Sequence, residues 1–171
     1  PGDLLIVSGT LGDHGATILN LREQLGLDGE LQSDCAVLTP LIQSLRPIAG
    51  VKALRDATRG GVNAVAHEFA ATSGYGVEIH EQNIPLKDTV RGVCELLGLD
   101  ALNFANEGKL MIGVTREAAE EVLAALRAHP LGRDAAIIGE ITERRGVRVA
   151  GLYGVKRTLD LPHAEPLPRI C

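Results

Sequence analysis

Short apolar runs and apolar stripes at helical spacing succeed one another along this chain, and glycine or proline marks most of the boundaries. Leu4 to Ser8 is an apolar run that stops at Gly9, which predicts a strand, and Gly12-Asp13-His14-Gly15 then turns the chain into a helix ending near Gly26. Thr39 before Pro40 predicts an N-cap with proline at the first helical position. The stripe of Leu41, Ile42, Leu45 and Ile48 follows, interrupted at Pro47. A second strand is predicted from Val51 to Arg55. It runs into Asp56-Ala57-Thr58-Arg59-Gly60-Gly61, after which Val62, Val65, Ala66 and Phe69 fall at i, i+3, i+4 and i+7, the spacing of one buried helix face.

Gly76 to His80 predicts a further strand, and Val90, Val93, Cys94 and Leu97 repeat the helical spacing before Gly98. Lys109 to Val114 reads as a strand. Thr115 is placed to cap a helix whose apolar side is Ala119, Val122, Leu123 and Leu126, ended by Pro130. Two β-type segments, Ala135 to Ile141 and Val147 to Val149, flank the polar turn Glu143-Arg144-Arg145-Gly146. With no internal repeat and no linker, residues 1–161 predict one α+β domain of strands covered by helices. Residues 162–171 differ, because Pro162, Pro166 and Pro168 remove backbone donors and favour an extended path. They are expected as a flexible tail outside the core, able to carry Cys171 on the order of 30 Å from the domain.

Composition narrows the function. A formal net charge of -5 disfavours a duplex-binding surface, which needs Lys and Arg to neutralise phosphates, and the absence of Trp with only two Phe and two Tyr disfavours base stacking. No apolar run approaches the roughly 18 residues of a membrane span. Three cysteines without a CxxC pair and without a signal peptide predict a reducing, cytoplasmic setting. The opening Pro1-Gly2-Asp3, which lacks Met and enters an apolar run at once, reads as the interior of a longer chain.

Several places could carry chemistry. Asp56 to Gly61 puts Thr58, Arg59, Gly60 and Gly61 where a strand passes into a helix, so backbone N–H groups and a guanidinium could meet a phosphate; a glycine-eased helix entry explains the same residues. Asp13 and His14 sit between glycines at another such junction, as pocket groups or as a polar loop and cap. Asn106-Glu107-Gly108 places a carboxylate in a tight loop, as a general base or as a turn. Five histidines and three cysteines fall into no zinc spacing, so no metal site is expected. Cys94 belongs to an apolar stripe and reads as an inert core residue, Cys35 is ambiguous, and Cys171 is the final residue, which excludes prenylation.

Taken in order, Ser8-Gly9-Thr10-Leu11-Gly12-Asp13-His14-Gly15-Ala16, Ser33-Asp34-Cys35, Asp56 to Gly61, Asn106-Glu107-Gly108-Lys109, Ile137-Ile138-Gly139-Glu140 and the ending Pro168-Arg169-Ile170-Cys171 resemble the HypE family of hydrogenase maturation factors. The resemblance covers essentially the whole chain. The terminal Pro-Arg-Ile-Cys is its most specific element, and Ala57, where proline is commoner, is a departure. The resemblance implies the C-terminal domain of the PurM-like, aminoimidazole ribonucleotide synthetase-related superfamily, with a mixed β-sheet covered by helices. It implies that Cys171 receives a carbamoyl group from HypF and that the thiocarboxamide is dehydrated to a thiocyanate with ATP. The cyano group then passes to iron on a HypC-HypD scaffold. Carried over by position, Cys171 is the carrier thiol, Glu107 with Asn106 handles protons, and Asp56, Thr58, Arg59, Gly60 and Gly61 contact phosphate. ATP, Mg2+ and the homodimer interface are implied mostly for an N-terminal domain absent here. Two alternatives stay open: a docking module for HypF or HypC-HypD without activity of its own, and a small-molecule phosphotransferase of the same superfamily.

Overall fold

The structure is a computed structural model and describes residues 1–27 and 29–162. Seven strands form one sheet: β1 (Leu4–Val7), β2 (Val51–Asp56), β3 (Gly76–His80), β4 (Leu110–Val114), β5 (Ala136–Thr142), β6 (Gly146–Ala150) and β7 (Lys156–Thr158). Their order is β2-β4-β1-β5-β3-β6-β7. All neighbours are antiparallel except β3 and β6, so the sheet is mixed. Five α-helices accompany it: α1 (Asp13–Glu23), α2 (Thr39–Leu45), α3 (Gly61–Ser73), α4 (Asp88–Leu97) and α5 (Ala119–Ala128).

Strand alternation divides the core between the two faces of the sheet. Leu5, Val7, Val77, Ile79, Met111 and Ile138 pack with Val62, Val65 and Ala66 of α3, whereas Ile6, Leu110, Ile112 and Val114 pack with α2 and α5. The α5 stripe of Ala119, Val122, Leu123 and Leu126 is buried as its spacing requires. A third cluster centred on Phe104 joins α1 to α4. This is the expected single α+β domain with a mixed sheet covered by helices.

Four local expectations need correction. Thr39 is the first helical residue rather than the cap; Leu38 holds that place without a side-chain bond, although Pro40 does sit in the first turn. Thr115 caps only a 3-10 turn, Arg116–Ala118, that leads into α5, and its side chain makes no capping bond. Helix α1 ends at Glu23, three residues before the glycine expected to stop it, because Gln24 already adopts a left-handed conformation. Strand β7 was not anticipated, being three exposed polar residues on the sheet edge. Cys171 and most of the proline-containing tail lie outside the described residues.

The topology itself builds a site. Strands β1 and β2 flank β4 and both run antiparallel to it, so their C-terminal ends meet the start of β4 at one end of the sheet. The loops that follow Val7 and Asp56, and the loop that precedes Leu110, therefore leave side by side. These loops contain the three glycine-bearing segments singled out in the sequence.

Candidate functional site

Asn106 ties the three loops together. Its side-chain oxygen accepts a hydrogen bond from the Gly12 N–H at 2.8 Å, and its amide donates to the carbonyl oxygens of Ala57 at 3.0 Å and Phe104 at 2.9 Å. The residue is 1% exposed, so all of its hydrogen-bonding groups on the side chain are spent on main chain. Asn106, expected to handle protons with Glu107, is thus bonded through its side chain to the loops beside that residue.

Glu107 faces a cleft of about 560 Å³ lined also by Arg55, Asp56, Thr58, Arg59, Val65 and Glu68. The structure thus brings Glu107 together with Asp56, Thr58 and Arg59, residues 48 to 51 positions apart in sequence that only the β2–β4 pairing unites. Asp56 accepts from Thr58 Oγ1 at 2.7 Å and from Arg55 at 3.0 Å. Arg55 also donates to both oxygens of Glu68, at 2.8 and 3.2 Å, and that pairing raises the guanidinium pKa further. Among the described residues, the Glu107 carboxylate has no hydrogen-bond or salt-bridge partner. It is the unengaged base on the rim.

Gly60 and Gly61 form the entry to α3, both at positive φ. At Gly61 a Cβ would stand 2.5 Å from the carbonyl oxygens of Leu102 and Phe104, so only glycine lets the helix start press against the 101–104 turn. Gly108 has a similar reason: a Cβ there would lie 1.9 Å from the Asp34 carbonyl oxygen.

Asp34, Lys109 and Lys87 were missed as site residues. Asp34 Oδ1 accepts from the Glu107 N–H at 3.0 Å, and its Oδ2 lies 3.1 Å from Lys109 Nζ, an ion pair outside hydrogen-bonding angles. Asp34 and Lys109 line a neighbouring pocket of about 310 Å³ with Thr10, Asp13, Cys35 and Lys87. In it Asp13 is 3% exposed, accepts from Thr10 Oγ1 at 2.6 Å and pairs with Lys87 Nζ at 3.1 Å. His14 does not line this pocket; its Nδ1 lies 2.9 Å from Ser33 Oγ. The adjacency of Lys109 to Asn106-Glu107-Gly108 was the one sequence signal that pointed to it.

Among the described residues, Glu78, His80 and Glu140 place potential metal ligands within 4.8 Å of one another. Lys156 already sits 2.8 Å from Glu78 and Arg116 2.7 Å from Glu140, so lysine and arginine neutralise the carboxylates. No helix among the described residues is long and apolar enough to cross a membrane.

Residues 1–151 match the family model of AIR synthase related protein, C-terminal domain. The chain belongs to this AIR synthase-related family. It is 81% identical over 170 residues to carbamoyl dehydratase HypE of Escherichia coli strain K12, which covers 99% of the chain and 51% of that relative. The crystal structure of a HypE-HypF complex superposes with a TM-score of 0.91 at 42% identity, over 95% of this chain and 53% of that one. A hydrogenase maturation protein HypE in complex with ATP gives a TM-score of 0.91 at 36% identity, over 97% and 52%. The chain thus spans about half the length of the AIR synthase-related relatives it matches.

Proposed function

We propose that this chain is the C-terminal half of a carbamoyl dehydratase of the HypE type, which converts a carbamoylated Cys171 to a thiocyanate with ATP and supplies cyanide ligands for [NiFe]-hydrogenase maturation. The observation that carries the reading is the cleft in which an unengaged carboxylate, Glu107, faces Asp56, Thr58 and Arg59. The similarity to carbamoyl dehydratase HypE over the whole chain supports it.

The chemistry balances on these groups. The amide oxygen of the thiocarboxamide attacks the γ-phosphorus of ATP and ADP leaves, which turns a poor leaving group into phosphate. One nitrogen proton passes to solvent as the O-phosphoimidate forms; Glu107 takes the second as the C–O bond breaks, phosphate departs, and the carbon is left as the nitrile of an S–C≡N group. Arg59 fits the transferred phosphate, with Gly60 and Gly61 allowing close approach of the main chain, while the Thr58 hydroxyl, which donates to Asp56, holds the loop beside it.

Two arginines face three carboxylates in the cleft, which leaves no surplus positive charge for a triphosphate. The chain accordingly contacts one end of the nucleotide, and the half of the protein not present here supplies most of the ATP site. Mg2+ would neutralise phosphate charge when bound there. HypF is the carbamoyl donor, in keeping with the HypE-HypF complex among the relatives, HypC-HypD is the acceptor, and the intact protein is a cytoplasmic homodimer.

Intact-mass analysis after incubation with HypF, carbamoyl phosphate and ATP tests this reading. A carbamoyl adduct should form on Cys171, persist in this chain, and become a thiocyanate in the full-length protein. Cys171→Ala should abolish it, whereas Cys35→Ala and Cys94→Ala should not. An adduct mapped to Cys35 or Cys94 would overturn the carrier assignment, and HypF binding without any adduct would make the chain a docking module.

A further inference from the structure

We infer that Asn63 and His67 of α3 clamp the root of the C-terminal arm and aim it at the end of the helix where the cleft lies, an inference that rests on the carrier role proposed for Cys171. The chain does not come loose after β7. The Leu159 N–H donates to the Val147 carbonyl at 2.9 Å, and its side chain, 4% exposed, joins the core beneath α3. The Leu159 carbonyl accepts from His67 Nε2 at 2.8 Å, and the next carbonyl, that of Asp160, accepts from Asn63 Nδ2 at 2.9 Å. The second amide hydrogen of Asn63 goes to Asn103 Oδ1 at 2.8 Å, in the turn against which the start of α3 rests.

Direction follows from the order of these contacts. Asn63 and His67 are one helical turn apart on the same face of α3. In passing from Leu159 to Asp160 the chain therefore moves one turn toward the N-terminal end of α3, the end that begins with Arg59-Gly60-Gly61. Leu161 is then 49% exposed, and the arm proper starts.

Asn63 is fully buried, yet its oxygen has no hydrogen-bond partner. An apolar residue would fill this position of a core-facing helix at less cost, so the amide is retained for what its nitrogen holds. The core does not need it.

The distances suit the arm. The clamp stripe, Asn63 and His67, and the cleft stripe, Val65 and Glu68, lie about 150° apart around α3 at about 100° per residue. Rounding a helix about 11 Å wide through that angle takes about 14 Å of path. Eleven residues, 161 to 171, span at most about 38 Å of chain, which exceeds that path and leaves length for inserting the thiol and for meeting partners. Freeing the root lowers the effective concentration of the thiol at the cleft without altering the cleft.

The test uses the full-length protein. Asn63→Leu and His67→Ala should slow single-turnover conversion of carbamoylated Cys171 to thiocyanate on the order of three- to tenfold, with His67→Gln, which keeps an N–H donor, close to the original. In a Cys171→Ala background, conversion of a separately supplied S-carbamoyl peptide of the last eleven residues should be unchanged by the same substitutions. Equal losses in both assays, or loss in neither, would overturn the clamp. A second measurement does not depend on the chemistry: with Cys35→Ser and Cys94→Ser, spin labels at Cys171 and at the exposed Thr72→Cys site near the far end of α3 report where the arm points. The distances should be long, and both clamp substitutions should shift population to shorter ones; an unchanged distribution refutes the clamp even if Cys171 carries no carbamoyl group.

Discussion

The carbonyl oxygen of Ala57 accepts two hydrogen bonds from Asn106, one from its backbone N–H and one from its side-chain amide, both at 3.0 Å. The loop after β2 and the loop before β4 are therefore locked at a point one residue from Glu107. Asn106→Ala would strand the Gly12 N–H and the Phe104 carbonyl in a buried setting, at a cost of about 3 kcal/mol. Asn106→Asp should be no better, because a carboxylate would face the two carbonyls that the amide now serves. Urea denaturation of this chain measures the loss, and a variant of unchanged stability would show that the loops do not depend on this residue.

How much of this was legible beforehand varies with how local the signal is. The entry to α3 could be read because a strand, two glycines and a helical stripe lie within about fifteen residues of one another, and Glu107 because a carboxylate sits in a glycine turn. Asp34 could not be placed: the described residues between 24 and 38 form no helix or strand, and its contacts, Glu107 and Lys109, are over seventy positions away. Strand β7 escaped because Lys156-Arg157-Thr158 pairs on one side only and shows no apolar alternation. The main-chain partners of Asn106 were not legible either, because sequence gives a side chain's type and not its partners.

Cys94 lies half-buried on α4, and desolvation by burial pushes its thiol up to about 11, with the Asp100 carboxylate adding to the rise. Its proton is therefore retained at pH 8, where the thiolate is on the order of one part in a thousand. Iodoacetamide at pH 8 should alkylate the exposed Cys35 well before Cys94, with the Cys94 rate climbing toward pH 11. The sign for stability follows: an unfolded chain ionises this thiol near 9.0 while the folded chain does not, so this contribution is lost as pH rises from 9.0 to about 11. Mass spectrometry of alkylated peptides checks the order, and faster labelling of Cys94 in the folded chain would contradict it.

Nucleotide affinity should be weak in this chain alone. Arg55 is held by Glu68 and Asp56, and the remaining cleft charges do not favour a triphosphate. Calorimetry with MgATP should give no binding, or dissociation constants no tighter than about millimolar, since a few exposed contacts offset little of the entropy of association. Micromolar binding would mean that the cleft is a complete nucleotide site and that the other half of the relatives is not needed for it.

Asp34 does two things at once, since one oxygen holds the Glu107 N–H and the other faces Lys109, and the two can be separated. The Asp34 and Lys109 side chains are only 3% and 11% exposed, so removing one partner leaves a nearly buried charge. Asp34→Ala should cost about 3 kcal/mol through that orphaned ammonium and the lost hydrogen bond together. Asp34→Asn keeps an oxygen for Glu107 but not the charge, and should lose less. Adding Lys109→Met to Asp34→Asn removes the second charge, so the double variant should recover much of the stability that either single variant loses. Activity should follow the hydrogen bond rather than the charge: in the intact protein Asp34→Asn retains more dehydration than Asp34→Ala at equal folded fraction, because only the latter releases the backbone under Glu107. A double-mutant cycle by denaturation reads the first claim and single-turnover intact mass the second. Strictly additive stabilities would dissolve the ion pair, and equal dehydration rates in the two Asp34 variants would detach this residue from the positioning of Glu107.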